Sequence, residues 1–137
     1  MKLVKNLAIT SAIFASTLVS ANQLTLKNIN PVVISSSPVA GTTTVDPSTN
    51  EITVTFSANM MTNKMWSVVK LNNSNFPQIT GEVYFKDDAR TFVIPVKLKA
   101  NTVYAFSLNA DNKKGFKSVN GKSAQPYIIS FKTASKA

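Results

Sequence analysis

Apolar and polar residues alternate with a period of two along short segments of this chain, and this pattern restricts its fold most strongly. In Glu51–Phe56, the residues Ile52, Val54 and Phe56 share one face, and glutamate and two threonines share the other. Such alternation, rich in β-branched residues, is typical of a strand with one buried face. Related patterns predict six further strands, at residues 32–36, 65–71, 78–85, 91–96, 103–108 and 127–131.

Turn-forming residues separate these segments. Asp46-Pro47, the charged run 86–89 and the polar run 72–75 are typical turn sequences. Strands separated by turn signals every eight to twelve positions indicate a β-sandwich or barrel. No segment after residue 21 shows a helical 3.6-residue stripe, and at most one helical turn is expected within residues 57–64. The sequence therefore predicts an all-β domain.

The first 21 residues have the three-part pattern of a secretory signal peptide. Lys2 and Lys5 precede an apolar run from Leu7 to Val19, and small residues follow up to Ala21. The run is short for a membrane-spanning helix, which needs about 20 apolar residues; an N-terminal anchor or a buried helix is the alternative. We expect cleavage after Ala21, and export to the periplasm or the exterior without a lipid anchor, because residue 22 is asparagine.

The chain is therefore predicted to consist of a signal peptide (1–21), a polar lead-in (22–30), one β domain (31–133) and a tail (134–137). Cleavage removes two lysines, so the formal net charge falls from +9 to +7. A basic exported protein is attracted weakly to anionic surfaces. The chain has no cysteine, so packing alone must hold the fold in an oxidising compartment.

Several short motifs, in order, resemble the bacterial Ig-like domain of the S-layer (SbsA-like) type. They include Pro38-x-x-Gly41, Ile52-x-Val54-x-Phe56-Ser57, Leu98-x-Ala100-x-Thr102-x-Tyr104 and Ile129-x-Phe131-x-Thr133. The resemblance implies a seven-stranded immunoglobulin-like Greek-key β-sandwich, here in a stand-alone secreted form. It also implies a spacer, adhesive or interaction role at a bacterial surface, and the family has no shared catalytic residues to carry over.

Two aromatic residues fit such a sandwich. Tyr104 lies at the start of a predicted strand, six residues after Leu98, which suits a tyrosine corner whose hydroxyl group bonds nearby backbone. Trp66 falls where a third strand would carry a core tryptophan.

The composition argues against an enzyme. Histidine and cysteine are absent, which removes the usual general base, the thiol nucleophile and the thiolate zinc site. No serine–lysine pair stands out, and the six carboxylates fall mainly in turns and on solvent faces. Asp111 and the pair Asp87-Asp88 are weak candidates for a calcium site. Two lysines directly after Asn112 would repel a cation at Asp111, and the pair Asp87-Asp88 lacks the further spaced carboxylates of a strong site. We expect no catalytic residues, no cofactor and no metal site.

The candidate binding residues are four lysines in the long loop 109–125. Lys113, Lys114, Lys117 and Lys122 are opposed only by Asp111. Loops at a sandwich end commonly carry binding residues, so these lysines are candidates for contact with phosphates or uronates. The alternative is a solvated basic loop held by Phe116 dipping into the core. Nucleic acid is not an expected partner, because few aromatic residues are interleaved with the lysines.

The sequence is compatible with two functions. The first is a secreted, non-catalytic module that binds a protein or an anionic polymer of the cell envelope. The second is a structural accessory subunit that self-assembles or docks onto a larger surface complex through its sheet edges.

Overall fold

A computed structural model describes residues 24–136, so the predicted signal peptide lies outside the described residues. Within that range, a 3₁₀ turn at Leu26–Asn28 precedes eight strands. They are β1 Val33–Ser37, β2 Glu51–Phe56, β3 Val68–Lys70, β4 Gln78–Ile79, β5 Tyr84–Phe85, β6 Thr91–Lys97, β7 Val103–Leu108 and β8 Tyr127–Lys132. Between residues 24 and 136, no helix is long and apolar enough to cross a membrane.

The strands form two antiparallel sheets. One sheet has the order β1-β2-β6, with β4 and β5 both pairing along the free side of β6, and the other has the order β3-β7-β8. If β4 and β5 are counted as one interrupted strand, this is the arrangement of a seven-stranded immunoglobulin constant-type sandwich, in which strands A, B, E and D face C, F and G. The predicted fold class is therefore confirmed.

The core lies between the two sheets and consists of the residues that the period-two pattern placed inward. Ile52, Val54 and Phe56 are fully buried, as are the inward-facing residues of β6. The opposite sheet contributes Tyr104, Phe106, Leu108, Ile129 and Phe131. Burial of these hydrocarbon and aromatic side chains is the main source of the fold's stability.

The predicted strand 78–85 is divided at Pro95 of the neighbouring strand. The amide of Val96 donates to Asn50 on the β2 side, so the nitrogen of Pro95 faces the β4/β5 side, where it has no hydrogen to donate. The chain opposite retains one bond, from the amide of Thr80 to the carbonyl of Pro95. A Cβ atom at the following Gly81 would lie 3.6 Å from the proline ring, which is ordinary contact distance. The missing donor explains why one predicted strand becomes two short ones.

Strand β3 is shorter than the predicted segment 65–71. Its pairing with β7 begins at Val68 opposite Leu108. The next residue of the β7 chain, Asn109, has φ +63° and turns away, although its amide still donates to the carbonyl of Ser67. No helical turn forms within 57–64, and the 3₁₀ turn of the described residues lies earlier, in the lead-in.

The tyrosine corner predicted at Tyr104 is confirmed. Its hydroxyl oxygen accepts a 2.8 Å hydrogen bond from the amide of Lys99. The ring is buried and lies 5.6 Å from that of Phe131. Trp66 is half-buried just before β3, with its ring 5.4 Å from that of Phe92.

Candidate functional site: the basic loop end

The strands place residues 24–32, 57–67, 86–90 and 109–126 at one end of the sandwich, which we call the loop end. The candidate lysines all lie here, in the connection between β7 and β8. This connection forms two tight turns: Ala110 and Lys113 exchange backbone hydrogen bonds, and Lys117 bridges to Ser123 around Gly121. The long loop is therefore a folded structure with defined hydrogen bonding.

Asn109 is the polar centre of this loop, and the sequence analysis did not single it out. Its side chain is fully buried. The Nδ2 group donates to the carbonyls of Phe116 and Ala124, both at 3.0 Å, and Oδ1 accepts from the amide of Phe116 at 2.9 Å. One amide side chain thus holds both arms of the loop. An asparagine next to a turn is expected to bond the backbone of its own turn, so this role could not be predicted from the sequence.

Phe116 holds the loop to the core, as predicted. Its side chain is fully buried. Its ring centroid lies 4.9 Å from that of Phe92 and 5.2 Å from that of Phe56. Edge-on and tilted aromatic contacts of this kind stabilise a core beyond simple area burial.

Gly115 lets the loop approach the segment before β3 closely. A Cβ atom at this position would lie 2.5 Å from the carbonyl carbon of Trp66 and 2.6 Å from Ser67 Oγ. The Ser67 hydroxyl also accepts a 2.8 Å hydrogen bond from the Gly115 amide. Only glycine allows both the contact and the hydrogen bond.

We expect Gly115→Ala to lower the free energy of unfolding by about 2 kcal/mol, because a backbone neighbour must move to admit the methyl group. Urea unfolding followed by tryptophan fluorescence measures the change through nearby Trp66. Gly81→Ala is the matched control, since its Cβ would meet only Pro95, at 3.6 Å. Equal effects of the two substitutions would contradict the close-approach explanation.

The structure separates the four candidate lysines into two groups. Lys113 and Lys114 are exposed at the first turn, and Lys114 lines a small hollow of about 240 Å³ together with Asp111. Lys117 is half-buried and Lys122 exposed on the second turn. The carbonyl of Lys117 accepts a hydrogen bond from the amide of Met61, which ties that turn to the 57–67 segment.

Basic side chains from other segments extend this surface. The described part of the loop end carries eight basic residues against three acidic ones. The basic residues are Lys27, Lys64, Lys86, Arg90, Lys113, Lys114, Lys117 and Lys122, and the acidic ones are Asp87, Asp88 and Asp111. Arg90 is fixed in place, because its Nε donates a 2.9 Å hydrogen bond to Asn59 Oδ1. Only the four lysines of loop 109–125, half of these basic residues, could be predicted from the sequence.

Asp88 stabilises the turn between β5 and β6. Thr91 Oγ1 donates to its Oδ2, and the amides of Arg90 and Thr91 donate to its Oδ1. These bonds, led by that from the Thr91 hydroxyl, lower the pKa of Asp88 from 3.8 to about 2. The carboxylate is thus occupied by its own turn. Within residues 24–136, no three acidic side chains come together as a metal site would require.

The lowered pKa of Asp88 predicts a pH dependence of stability. The ionised form favours the folded state, so the contribution is complete above the unfolded pKa of 3.8 and is lost as the pH falls toward about 2. We expect Asp88→Asn to flatten the dependence of the unfolding free energy on pH across that window. Urea unfolding at a series of pH values measures it, with Asp87→Asn as control. A slope unchanged by Asp88→Asn would contradict this assignment.

Fold and loop architecture together define an immunoglobulin-like β-sandwich that presents a basic loop end. The sequence matches the bacterial Ig-like domain family (Big_5) over residues 27–133. The chain therefore belongs to the bacterial Ig-like domain family. No curated protein sequence matches it closely enough to name a relative.

Solved structures of similar fold include parts of the bacterial S-layer protein SbsC. The N-terminal part of SbsC superposes with a TM-score of 0.50 and 16% sequence identity, covering 77% of this chain and 24% of that one. A structure of SbsC domains 1–6 superposes with a TM-score of 0.48 and 18% sequence identity. That match covers 76% of this chain and 14% of the SbsC chain. This chain thus spans less than a quarter of the SbsC chains that it resembles, and the likeness concerns the fold.

Proposed function

We propose that this chain is a non-catalytic interaction module, exported to the bacterial cell envelope or beyond it, that binds an acidic partner through the loop end. The partner is an anionic envelope polymer or an acidic protein surface. The observation that carries the proposal is the concentration of eight basic residues on one end of the sandwich. Such a surface attracts polyanions and increases their local concentration.

The internal bonding of the loop supports this role. Asn109 and Phe116 fix the backbone that carries the four candidate lysines, Lys113, Lys114, Lys117 and Lys122. A surface that is ordered before binding loses less conformational entropy when a partner arrives. The lysine side chains remain free to adapt, and the backbone beneath them does not need to fold.

Retention on isolated bacterial envelope material, measured over a range of salt concentrations, tests this proposal. Binding should weaken as salt rises, because exposed charges are screened. Changing all four candidate lysines to glutamine should weaken retention about tenfold at low salt, since each exposed ion pair contributes little alone. Protease treatment of the envelope beforehand separates the two partner classes: retention that survives it indicates a polymer, and its loss indicates a protein.

A pair of matched variants distinguishes the loop end from net charge. Lys113→Gln/Lys114→Gln and Lys132→Gln/Lys136→Gln remove the same charge from opposite ends of the sandwich, and all four residues are exposed. The first pair should weaken retention and the second should not. Equal weakening by both pairs, or retention that does not depend on salt, would overturn the proposal.

Self-assembly through the sheet edges, the alternative function, has less structural support. Strand β1 is an edge strand, but its register shifts between Val33 and Ser35, and Pro31 and Pro38 flank it. Bulges and prolines of this kind hinder edge-to-edge pairing. Residues 41–45 cover the outer edge of β8, with hydrogen bonds such as that from the Gly41 amide to the Ser130 carbonyl. Light scattering of the purified protein should therefore show a monomer, and a concentration-dependent oligomer would favour the alternative.

A further inference from the structure

A second polar surface lies at the opposite end of the sandwich, where a groove of about 720 Å³ opens beside the turn between β6 and β7. This volume falls within the usual range for small-ligand sites. The groove lies between the loop after β3, the start of β4 and the end of β6. Its most informative lining residues are Asn73, Phe76, Gln78, Lys97, Lys99 and Tyr104.

The floor of the groove is apolar and fixed. Tyr104 is buried, with its hydroxyl held by the Lys99 amide in the tyrosine corner. Phe76 is half-buried and packs edge-on against Phe106, with ring centroids 5.8 Å apart, and the Lys70 ammonium lies over its ring, 5.2 Å from the centroid. The aromatic face at this site therefore has little freedom to collapse into the space above it.

The backbone of the loop that forms one wall is also held in place. Asn75 Nδ2 donates a 2.9 Å hydrogen bond to the carbonyl of Val103, and the amide of Ala105 donates to the carbonyl of Asn75. The other wall belongs to a sheet, where Gln78 pairs with Lys97 in the β4–β6 ladder. The groove is thus formed by paired backbone on both sides.

The groove carries positive charge with no opposing charge among its lining residues. Lys97 and Lys99 both line the groove and are exposed, while Leu98 between them is buried. Asn73 and Gln78 add exposed amide groups, which can both donate and accept hydrogen bonds. None of the carboxylate side chains between residues 24 and 136 lines the groove.

We propose that this groove binds an acidic saccharide, meaning a sugar unit that carries a carboxylate. The ammonium groups of Lys97 and Lys99 bind the carboxylate, and the amides of Asn73 and Gln78 bind ring hydroxyl groups. Phe76 and Tyr104 form the apolar floor beneath the sugar ring. The combination of two cations, two amides and an aromatic floor matches a uronate better than a simple inorganic anion, which would use only the cations. The site is separate from the loop end and does not depend on the function proposed for it.

Calorimetric titration of the purified protein with a short galacturonate oligomer tests the proposal. The matching neutral galactose oligomer and inorganic phosphate are the comparison ligands. We expect saturable binding of the acidic oligomer, and binding at least fivefold weaker for the neutral oligomer and for phosphate. Equal binding of phosphate would show an anion site without sugar recognition, and equal binding of the neutral oligomer would show that the lysines play no part; either result overturns the proposal.

Substitutions locate the binding. Lys97→Gln/Lys99→Gln should weaken galacturonate binding about fivefold to tenfold, as expected for loss of two exposed ion pairs. The matched pair Lys132→Gln/Lys136→Gln removes the same charge outside both the groove and the loop end and should leave this binding unchanged. Phe76→Leu keeps an apolar side chain there and should weaken binding through loss of the aromatic ring, which also ends its contact with the Lys70 ammonium.

Amide chemical shifts provide an independent readout. Galacturonate should shift the amide signals of Gln78, Lys97 and Lys99 and leave those of residues 110–123 in place. If the Lys132/Lys136 pair weakens binding as much as the groove pair, or the shifts centre on the loop end, the groove proposal fails while the proposed function stands. Absence of saturable binding, with a folded protein by the same spectra, also overturns it.

Discussion

Replacing Phe116 with alanine should lower the free energy of unfolding by about 4 kcal/mol, the largest effect that we expect from any single substitution in the loop end. Removal of a fully buried aromatic side chain loses its transfer free energy and leaves a cavity. The cavity would open between Phe56 and Phe92, whose rings contact Phe116 from the opposite sheet. Urea unfolding at neutral pH measures the change as a shift of the midpoint.

Two further variants make the Phe116 prediction specific. Phe116→Leu keeps most of the apolar volume and should cost about 1–2 kcal/mol. Val119→Ala, in the exposed part of the same loop, should change stability by less than about 0.5 kcal/mol. A loss below about 1 kcal/mol for Phe116→Ala would mean that the loop does not anchor in the core.

Asn109→Ala should cost about 3 kcal/mol, although the change removes only a small polar group. The substitution leaves the amide of Phe116 and the carbonyl of Ala124 buried without the Asn109 partner, while the Phe116 carbonyl keeps only its bond from the Ala124 amide. Alanine also tolerates the local φ of +63° less well than asparagine. The same unfolding experiment measures the loss, and amide hydrogen exchange should show faster exchange at Phe116.

Asn109→Gly separates the two causes. Glycine accepts the backbone conformation but supplies no side-chain amide group. The glycine variant should therefore be more stable than the alanine variant by about 1 kcal/mol, and its free energy of unfolding should still be well below that of the parent protein. Asn112→Ala, at the exposed tip of the first turn, is the control and should be nearly neutral. Parent-like stability of Asn109→Gly would show that backbone conformation, rather than the buried amide, explains the site.

These two residues also connect stability with the proposed function. Asn109 and Phe116 touch the backbone that carries the lysines, and neither belongs to the charged surface itself. Their substitution should therefore weaken envelope retention by loosening the loop, without altering the net charge. Lysine variants should do the reverse, lowering retention while leaving the unfolding midpoint almost unchanged. This contrast distinguishes a binding role of the lysines from a general loss of structure.

Much of the fold could be predicted because strand burial is encoded locally. Alternation within Glu51–Phe56 or Val103–Leu108 already identifies which side chains face inward, and those side chains form the core. The limits of the weaker strands depended on neighbours distant in sequence. Pro95 divides the strand opposite it, and the turn at Asn109 ends the pairing of β3. Local patterns contain no information about such partners.

The candidate site was predictable only in part, for a similar reason. Contiguous lysines such as Lys113 and Lys114 are visible in the sequence. Arg90 and Lys64 join them at the loop end only through the topology. The groove at the opposite end brings Asn73, Gln78 and Lys97 together from three segments. None of these segments carries a sequence motif that would indicate a binding site.

By itself, the sequence determined the all-β class, the inward faces of the main strands, the tyrosine corner at Tyr104 and the absence of histidine and cysteine chemistry. These features depend on residue type and on spacing of a few positions. Tertiary structure alone decided the buried role of Asn109, the close approach at Gly115 and the gathering of basic side chains at one end. The physical reason is that burial of a polar group, a steric contact and a shared electrostatic surface all depend on which distant segments meet.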